Sequence, residues 1–333
     1  MHIPDNYLSP TTCAVMGAAM VPAWTISIKK VKEELPKAKI PLLGVGAAFS
    51  FLLMMFNVPL PGGTTGHAVG GTLLAILLGP FAACISVTVA LFIQALLFGD
   101  GGIVAFGANC FNMAFVLPFM GYYIYKLIKD NVRSEKGEYI GIVLASYIGI
   151  NVAALCAAIE FGLQPLLFTD SAGLPLYCPY SLGISIPAMT IPHLLVAGIV
   201  EALFTVAIIV YVKKVSPGTI YEGAKKKTKA IYGLLAALIC FTPLGLLATG
   251  TAWGEWGTDE INDVVSGGKA LGYLPKGMKD GFSFKSIMPD YAIDGLSDIA
   301  GYILSAIAGV TILIILFKVV STFKKDKVGN KVE

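Results

Sequence analysis

Charge is the scarcest ingredient of this 333-residue chain: Asp, Glu, Lys and Arg together make up 14% of it, against about 25% in an ordinary soluble domain. With 56% hydrophobic residues and a mean hydropathy of +0.76, that shortage excludes a water-soluble fold. Histidine is scarcer still, with only His2, His67 and His193. The six cysteines, at positions 13, 84, 110, 156, 178 and 240, never fall at a CxxC spacing and read as small hydrophobes within apolar segments. No GxxxxGK[ST] run occurs, which excludes ATP binding through a P-loop. Missing HExxH and GxSxG patterns remove the commonest routes to a membrane hydrolase. No basic stretch precedes the first apolar run, so no cleavable signal peptide is expected. The clear repeat symmetry of many secondary transporters is absent as well.

What the chain does have is long apolar runs. Nine are legible, at residues 11–28, 40–58, 68–78, 81–98, 102–128, 139–163, 183–212, 230–249 and 298–317. This is the pattern of an all-α polytopic membrane protein. The third run is too short to cross a hydrocarbon core of about 30 Å, so the loop before it is expected to dip inward. All but four of the 24 Lys and Arg residues lie in the stretches 29–39, 126–138, 213–229 and 318–333. The positive-inside rule turns these toward the cytoplasm. Alternation then puts Met1 and the 59–67 loop outside and the C-terminus inside. Residues 1–212 read as a seven-segment bundle and 213–229 as a basic cytoplasmic linker. Residues 230–333 read as a two-helix module with a long outside loop, 250–297. The aromatic residues Trp253, Trp256, Tyr273, Phe282 and Tyr291 along that loop predict that it folds against the bundle.

A histidine at position 2 has special chemistry. The Met1 amine, the His2 amide and the His2 imidazole can close a five- and a six-membered chelate ring around one ion, leaving one corner of a square plane open. Square-planar nitrogen coordination is the preference of Ni(II) and Cu(II). The bulky His2 is a poor context for removal of the initiator methionine, so Met1 is expected to remain. His67 ends the loop Pro59–His67, rich in glycine and proline. Irregular backbone at membrane depth survives only when it is buried in protein or lines a cavity, so this loop is suited to hold an imidazole. Gln94, Asn109, Asn112, Asn151, Glu160 and Glu201 are costly in lipid and should face the bundle interior. Thr64, Gln94, Asn109, Asn112 and Glu160 are the candidates to orient a ligating imidazole through its other nitrogen. Glu201 and His193 share a helix face two turns apart and read as a packing pair.

The opening run Met1-His2-Ile3-Pro4-Asp5-Asn6-Tyr7-Leu8-Ser9-Pro10, the Gly66-His67 loop and the segment from Pro192-His193 to Glu201-Ala202-Leu203 resemble the substrate-binding component of nickel/cobalt energy-coupling-factor transporters. The C-terminal part, with Trp253-Gly254-Glu255-Trp256 and Met288-Pro289-Asp290-Tyr291, resembles the small auxiliary component of the same systems, fused in one chain. The resemblance implies Ni(II), with Co(II) as the alternative ion, bound by the Met1 amine, the His2 amide and imidazole, and His67. It also implies residence in the cell membrane and a motor from other chains: a transmembrane coupling protein and cytoplasmic ATPase subunits. No cofactor and no enzymatic activity are expected. The competing reading is a self-sufficient divalent-cation channel or secondary permease. An enzyme using His193 and Glu201 is more remote.

Overall fold

The computed structural model describes residues 1–217, 228–258, 260, 261, 265, 266 and 269–323. Lys225-Lys226-Lys227 and the lysines beyond Phe323, both used in the charge argument, lie outside the described residues. Each of the nine apolar runs is helical. Helix α1 (Pro10–Glu34) starts where Ser9 accepts a hydrogen bond from the Thr12 N–H at 3.0 Å and Pro10 supplies a preset first-turn φ. Helix α2 (Ile40–Met54) is followed by a small hairpin, β1 (Val58–Leu60) and β2 (Thr64–Gly66), and then by α3 (Gly71–Leu78). Helix α4 (Pro80–Ile93) runs into a π-helical turn, Gln94–Phe98. After a loop come α5 (Phe106–Asn109), a second π-helical stretch, Cys110–Val116, and α6 (Leu117–Val132). Helix α7 (Glu135–Leu167) is the longest, and α8 (Leu182–Pro192) joins α9 (Gly198–Val215) through a third π turn, His193–Ala197.

Seven helical stretches among the described residues are long and apolar enough to span a membrane: Pro10–Glu34, Lys37–Met54, Pro80–Phe98, Glu135–Leu167, Leu182–Val215, Thr228–Leu247 and Asp298–Phe323. Many large apolar side chains point outward from them, among them Leu203 and Ile315, as a lipid-facing surface requires. The inward-facing polar groups are mostly paired. Asn112 donates to Glu160 across two helices at 2.9 Å, and Ser185 donates to the Ala158 carbonyl at 2.8 Å.

The irregular loop expected at 59–67 is more ordered than its composition suggested. Val58 pairs with Gly66 and Leu60 with Thr64. The β-branched Val58, Thr64 and Thr65 suit extended backbone, while Gly62 (φ 91°) and Gly63 (φ 77°) supply the left-handed turn. As expected, residues 64–70 are buried, and α3 starts only beyond them, with eight residues.

The second part of the chain comprises α10 (Thr228–Phe241), the long loop with its two-residue strands β3 (Val265–Ser266) and β4 (Lys269–Ala270) and the short α11 (Lys276–Lys279), and α12 (Asp298–Phe323). Helix α12 packs on α2 through small residues. A Cβ added at Gly44 would stand 3.0 Å from the Leu313 carbonyl and from the Phe317 Cβ, and Gly309 lies against the Phe51 ring. Small residues at a contact let membrane helices approach closely. The described part of the 250–297 loop folds onto the bundle as its aromatic content predicts: Tyr7 donates to the Trp256 carbonyl at 2.9 Å, Thr64 to the Thr251 carbonyl at 3.0 Å, and the Met288 N–H to the Leu97 carbonyl at 2.8 Å.

Candidate metal centre

The first nine residues thread into the bundle without regular structure, and their backbone groups are satisfied one by one. Asn109 clamps Ile3 from both sides, accepting from its N–H at 2.7 Å and donating to its carbonyl at 3.0 Å. The Gly102 N–H donates to the same carbonyl at 2.8 Å. Pro4 has no N–H to place. Asp5 accepts from the N–H groups of Ile103, Val104 and Ala105 at 3.0, 2.7 and 3.2 Å, just ahead of α5. Asn6, at φ 70°, exchanges two hydrogen bonds with Phe282. The Tyr7 carbonyl accepts from the Cys178 N–H at 3.0 Å, and the Ser9 N–H donates to Gln164 at 2.9 Å. The decapeptide is a fitted plug whose buried tip is Met1-His2-Ile3.

The second imidazole approaches from the hairpin side. Behind it, the Glu201 carboxylate on α9 takes the N–H groups of Val69 at 2.7 Å and Gly70 at 3.0 Å, fixing the backbone that leads into α3. His67 Nδ1 faces the Ala68 carbonyl at 3.2 Å and must donate to it, which leaves Nε2 as a bare lone pair. That Nε2 lies 3.1 Å from His2 Nδ1, with the ring centroids 4.9 Å apart. His2 Nδ1 is the nitrogen that closes a six-membered ring with the residue's own amide. Adjacent corners of a square plane with metal–nitrogen bonds of about 2.0 Å are about 2.8 Å apart. The two imidazoles therefore stand near the spacing of neighbouring ligands. Among the described residues no trio of His, Cys, Asp or Glu side chains is grouped to hold a metal. The set that converges here is two rings beside main-chain nitrogen.

Two carboxylates complete the surroundings, and sequence reading did not find either. Asp100 Oδ1 lies 3.1 Å from His2 Nδ1. Glu255, from the second part of the chain, pairs with the Met1 amine at 3.3 Å. Burial and then the amino-terminal charge pull His2 down to about 3, and the same two causes pull His67 well below the usual histidine value. Both rings are thus neutral, the form that ligates. Burial raises Glu255 to about 7 against the opposing pull of the amino terminus, and burial raises Asp100. Tyr291 donates to Asp100 Oδ2 at 2.5 Å and receives a hydrogen bond from Gln94 at 2.9 Å. Asp290 (φ 53°) and Tyr291 (φ 61°) both hold left-handed backbone, a strain of about 1–3 kcal/mol each that clusters at functional sites. Gly101, at φ 83°, leaves room for the imidazole, since a Cβ there would stand 3.2 Å from the His2 ring.

The residues singled out from sequence separate into groups. Met1, His2 and His67 come together, and Gln94 reaches their surroundings by donating to Asp100 at 3.0 Å. Asn109 serves the Ile3 backbone, Thr64 the second module, and Asn112 and Glu160 each other. His193 turns Nδ1 to the Met189 carbonyl at 2.7 Å within its own helix. One signal for Asp100 was present: an acidic residue in the loop 99–105, directly after the apolar run that contains Gln94.

Comparison with known families and proteins gives a consistent result. Residues 2–219 match the family described as cobalt uptake substrate-specific transmembrane region, and residues 227–325 match the PDGLE domain. The chain is 50% identical over 321 residues to the "Probable fused nickel transport protein LarMN" of Lactiplantibacillus plantarum, covering 96% of this chain and 97% of that one. It is 44% identical over 330 residues to the "Fused nickel transport protein NikMN" of Rhodobacter capsulatus, covering 94% and 95% respectively. A crystal structure of a truncated transition metal transporter, 58% identical, superposes with a TM-score of 0.61 over 64% of this chain and 99% of that one.

Proposed function

We propose that this chain, which belongs to the cobalt uptake substrate-specific transmembrane family, is the nickel-capturing membrane subunit of an ATP-driven uptake system. The Met1 amine, the His2 amide and Nδ1, and His67 Nε2 form a square of four nitrogens around the ion. The observation that carries this reading is the 3.1 Å approach of His2 Nδ1 to His67 Nε2 at a buried amino terminus. Neutral rings and main-chain nitrogen favour Ni(II) over Co(II), because the affinity order places nickel higher and planar nitrogen coordination suits it. The nickel transport proteins among the relatives support the same ion.

The chain divides at 213–229 into a metal-binding bundle, 1–212, and an auxiliary module, 230–333. The family matches, which end at residue 219 and resume at 227, support that division. The site end faces outward and the lysine-rich end faces the cytoplasm, as charge distribution favours. Energy comes from a separate transmembrane coupling protein and cytoplasmic ATPase subunits. In this chain the residues bind and orient the ion: Glu255 holds the amine, Asp100 sets a carboxylate beside His2 Nδ1, and burial excludes competing water.

Nickel accumulation in cells tests the assignment. Expression of this chain with a coupling protein and ATPase subunits is expected to give ATP-dependent uptake, and the chain alone is expected to bind nickel without accumulating it. Robust accumulation by the chain alone would overturn the reading in favour of a permease.

A further inference from the structure

At the far end of α1 from the metal centre, the two parts of the chain leave a cleft between them. Helix α1 packs on α4, and α12 packs on α2 and touches α4. Between the last turns of α1 and α12 lies a cavity of about 780 Å³. Its lining includes the buried Ile40 and Leu43 of α2, Val31 of α1 and Phe317 of α12. Val320 and Phe323, which are 48% and 80% exposed, stand at its edge. Pockets that take small ligands run from about 300 to 1,000 Å³, so the space suffices for one. Apolar cavities do not order water, and walls facing a void forfeit dispersion contacts. The occupant is therefore apolar where it meets these side chains.

The charged residues around the same cavity define the other end of that occupant. Lys32 and Lys37 line it together with Glu33 and Glu34. Glu34 is paired with Lys30 at 3.1 Å. The segment 29–39 as a whole carries five lysines against two glutamates, and Lys318 follows Phe317 on α12. Lys37 is half-buried, as suits a lysine whose stem lies along apolar surface while its ammonium reaches water. An apolar tail with an anionic head matches both features. The continuation of the chain does not. Residues 324–333 hold four lysines, one aspartate, one glutamate and only two valines, so they are basic like the rim and too polar for the walls. Basic pockets between membrane helices are a recurrent setting for lipid headgroups.

We propose that this cleft is a binding site for one anionic phospholipid, with an acyl chain between α1 and α12 and the phosphate at Lys32 and Lys37. The bound lipid joins the second part of the chain to the first at the end where α1 and α12 diverge. The site depends on the membrane fold alone and is independent of the nickel-chelate reading.

The test uses the full chain purified in detergent and titrated with palmitoyl-oleoyl phosphatidylglycerol, or with the phosphatidylcholine that has the same chains. Native mass spectrometry counts the lipids and the protein copies in each particle. The unmodified chain is expected to retain one phosphatidylglycerol about tenfold more tightly than phosphatidylcholine, since each lysine near an anionic headgroup contributes about fivefold and Glu33 offsets part of the two. Lys32→Gln/Lys37→Gln is expected to lose that preference. Lys276→Gln/Lys279→Gln, which removes the same charge from exposed positions in the loop 250–297, is expected to keep it. Val320→Trp sets a ring in the mouth of the cleft and is expected to lose the retained lipid of either kind; the position is half-exposed, and thermal unfolding checks that the variant is folded. Equal retention of the two lipids by the unmodified chain would overturn the proposal, as would a preference that survives Lys32→Gln/Lys37→Gln. Two other occupants would overturn it as well. A gain in lipid binding when the chain is ended at Phe323 would put its own tail in the cleft. A dimer that Val320→Trp dissolves, with lipid retention unchanged, would put a second copy there.

Discussion

His67 illustrates how a single residue can be judged from its hydrogen bonds. Its Nδ1 is committed to Ala68 and its Nε2 is presented to His2, so its contribution is one lone pair in a fixed direction. His67→Ala leaves amine, amide and one ring, and nickel titration is expected to show affinity lowered by at least about tenfold. The pH dependence separates its role from that of the amino terminus. Burial holds His2 near 3 and His67 low, so between about pH 6 and 8 both rings are neutral and neither must shed an imidazolium proton for nickel to bind. The main-chain amide of His2 must lose its proton to ligate. Affinity is therefore expected to rise with pH across that range, and His67→Ala should keep the same slope; a slope that flattened in the variant would assign the titration to His67. At this scale the sequence was generous for His2 and His67, whose chemistry is local or sits in a marked loop. It did not single out Asp100 or Glu255. Glu255 meets the amine across 254 positions, and no periodicity or spacing reports such a pair.

Elements place these residues, and two contacts illustrate how. Glu201 on α9 grips the two N–H groups that precede α3, and so steadies the loop carrying His67. Glu201→Ala leaves those buried donors unpaired, a cost of about 1–3 kcal/mol each. Thermal unfolding in detergent should show a lower midpoint, and nickel affinity should fall with it. An unchanged midpoint would mean the backbone finds other acceptors. The α2–α12 contact depends on Gly44. Gly44→Val would push against the Leu313 carbonyl and Phe317, and overpacking of about 1–3 kcal/mol is expected, read as earlier protease cleavage of the 250–297 loop. The helical character of the nine apolar runs was legible because apolar runs and basic punctuation are written directly in the chain. The hairpin at 58–66 and the three π-helical turns were not, since both are local departures from ordinary periodicity. Two of those turns begin at Gln94 and His193, and the third contains Asn112. π turns of this kind recur at functional sites.

In the whole molecule the amino terminus is a point where both parts of the chain meet. His67, Asp100 and Gln94 come from the first half of the chain, and Glu255 and Tyr291 from the loop 250–297. That convergence was only half legible: the aromatic loop was expected to cover the bundle, but which of its side chains enter the site depends on the three-dimensional path of residues 250–297. The account's central claim is that the free amine of Met1 is itself a ligand, and calorimetric nickel titration tests it most directly. The native chain is compared with one carrying a single extra residue before Met1, with thermal unfolding confirming that both are folded. The predicted result is tight, one-to-one nickel binding by the native chain and its loss in the extended one. Equally tight binding by the extended chain would contradict the account.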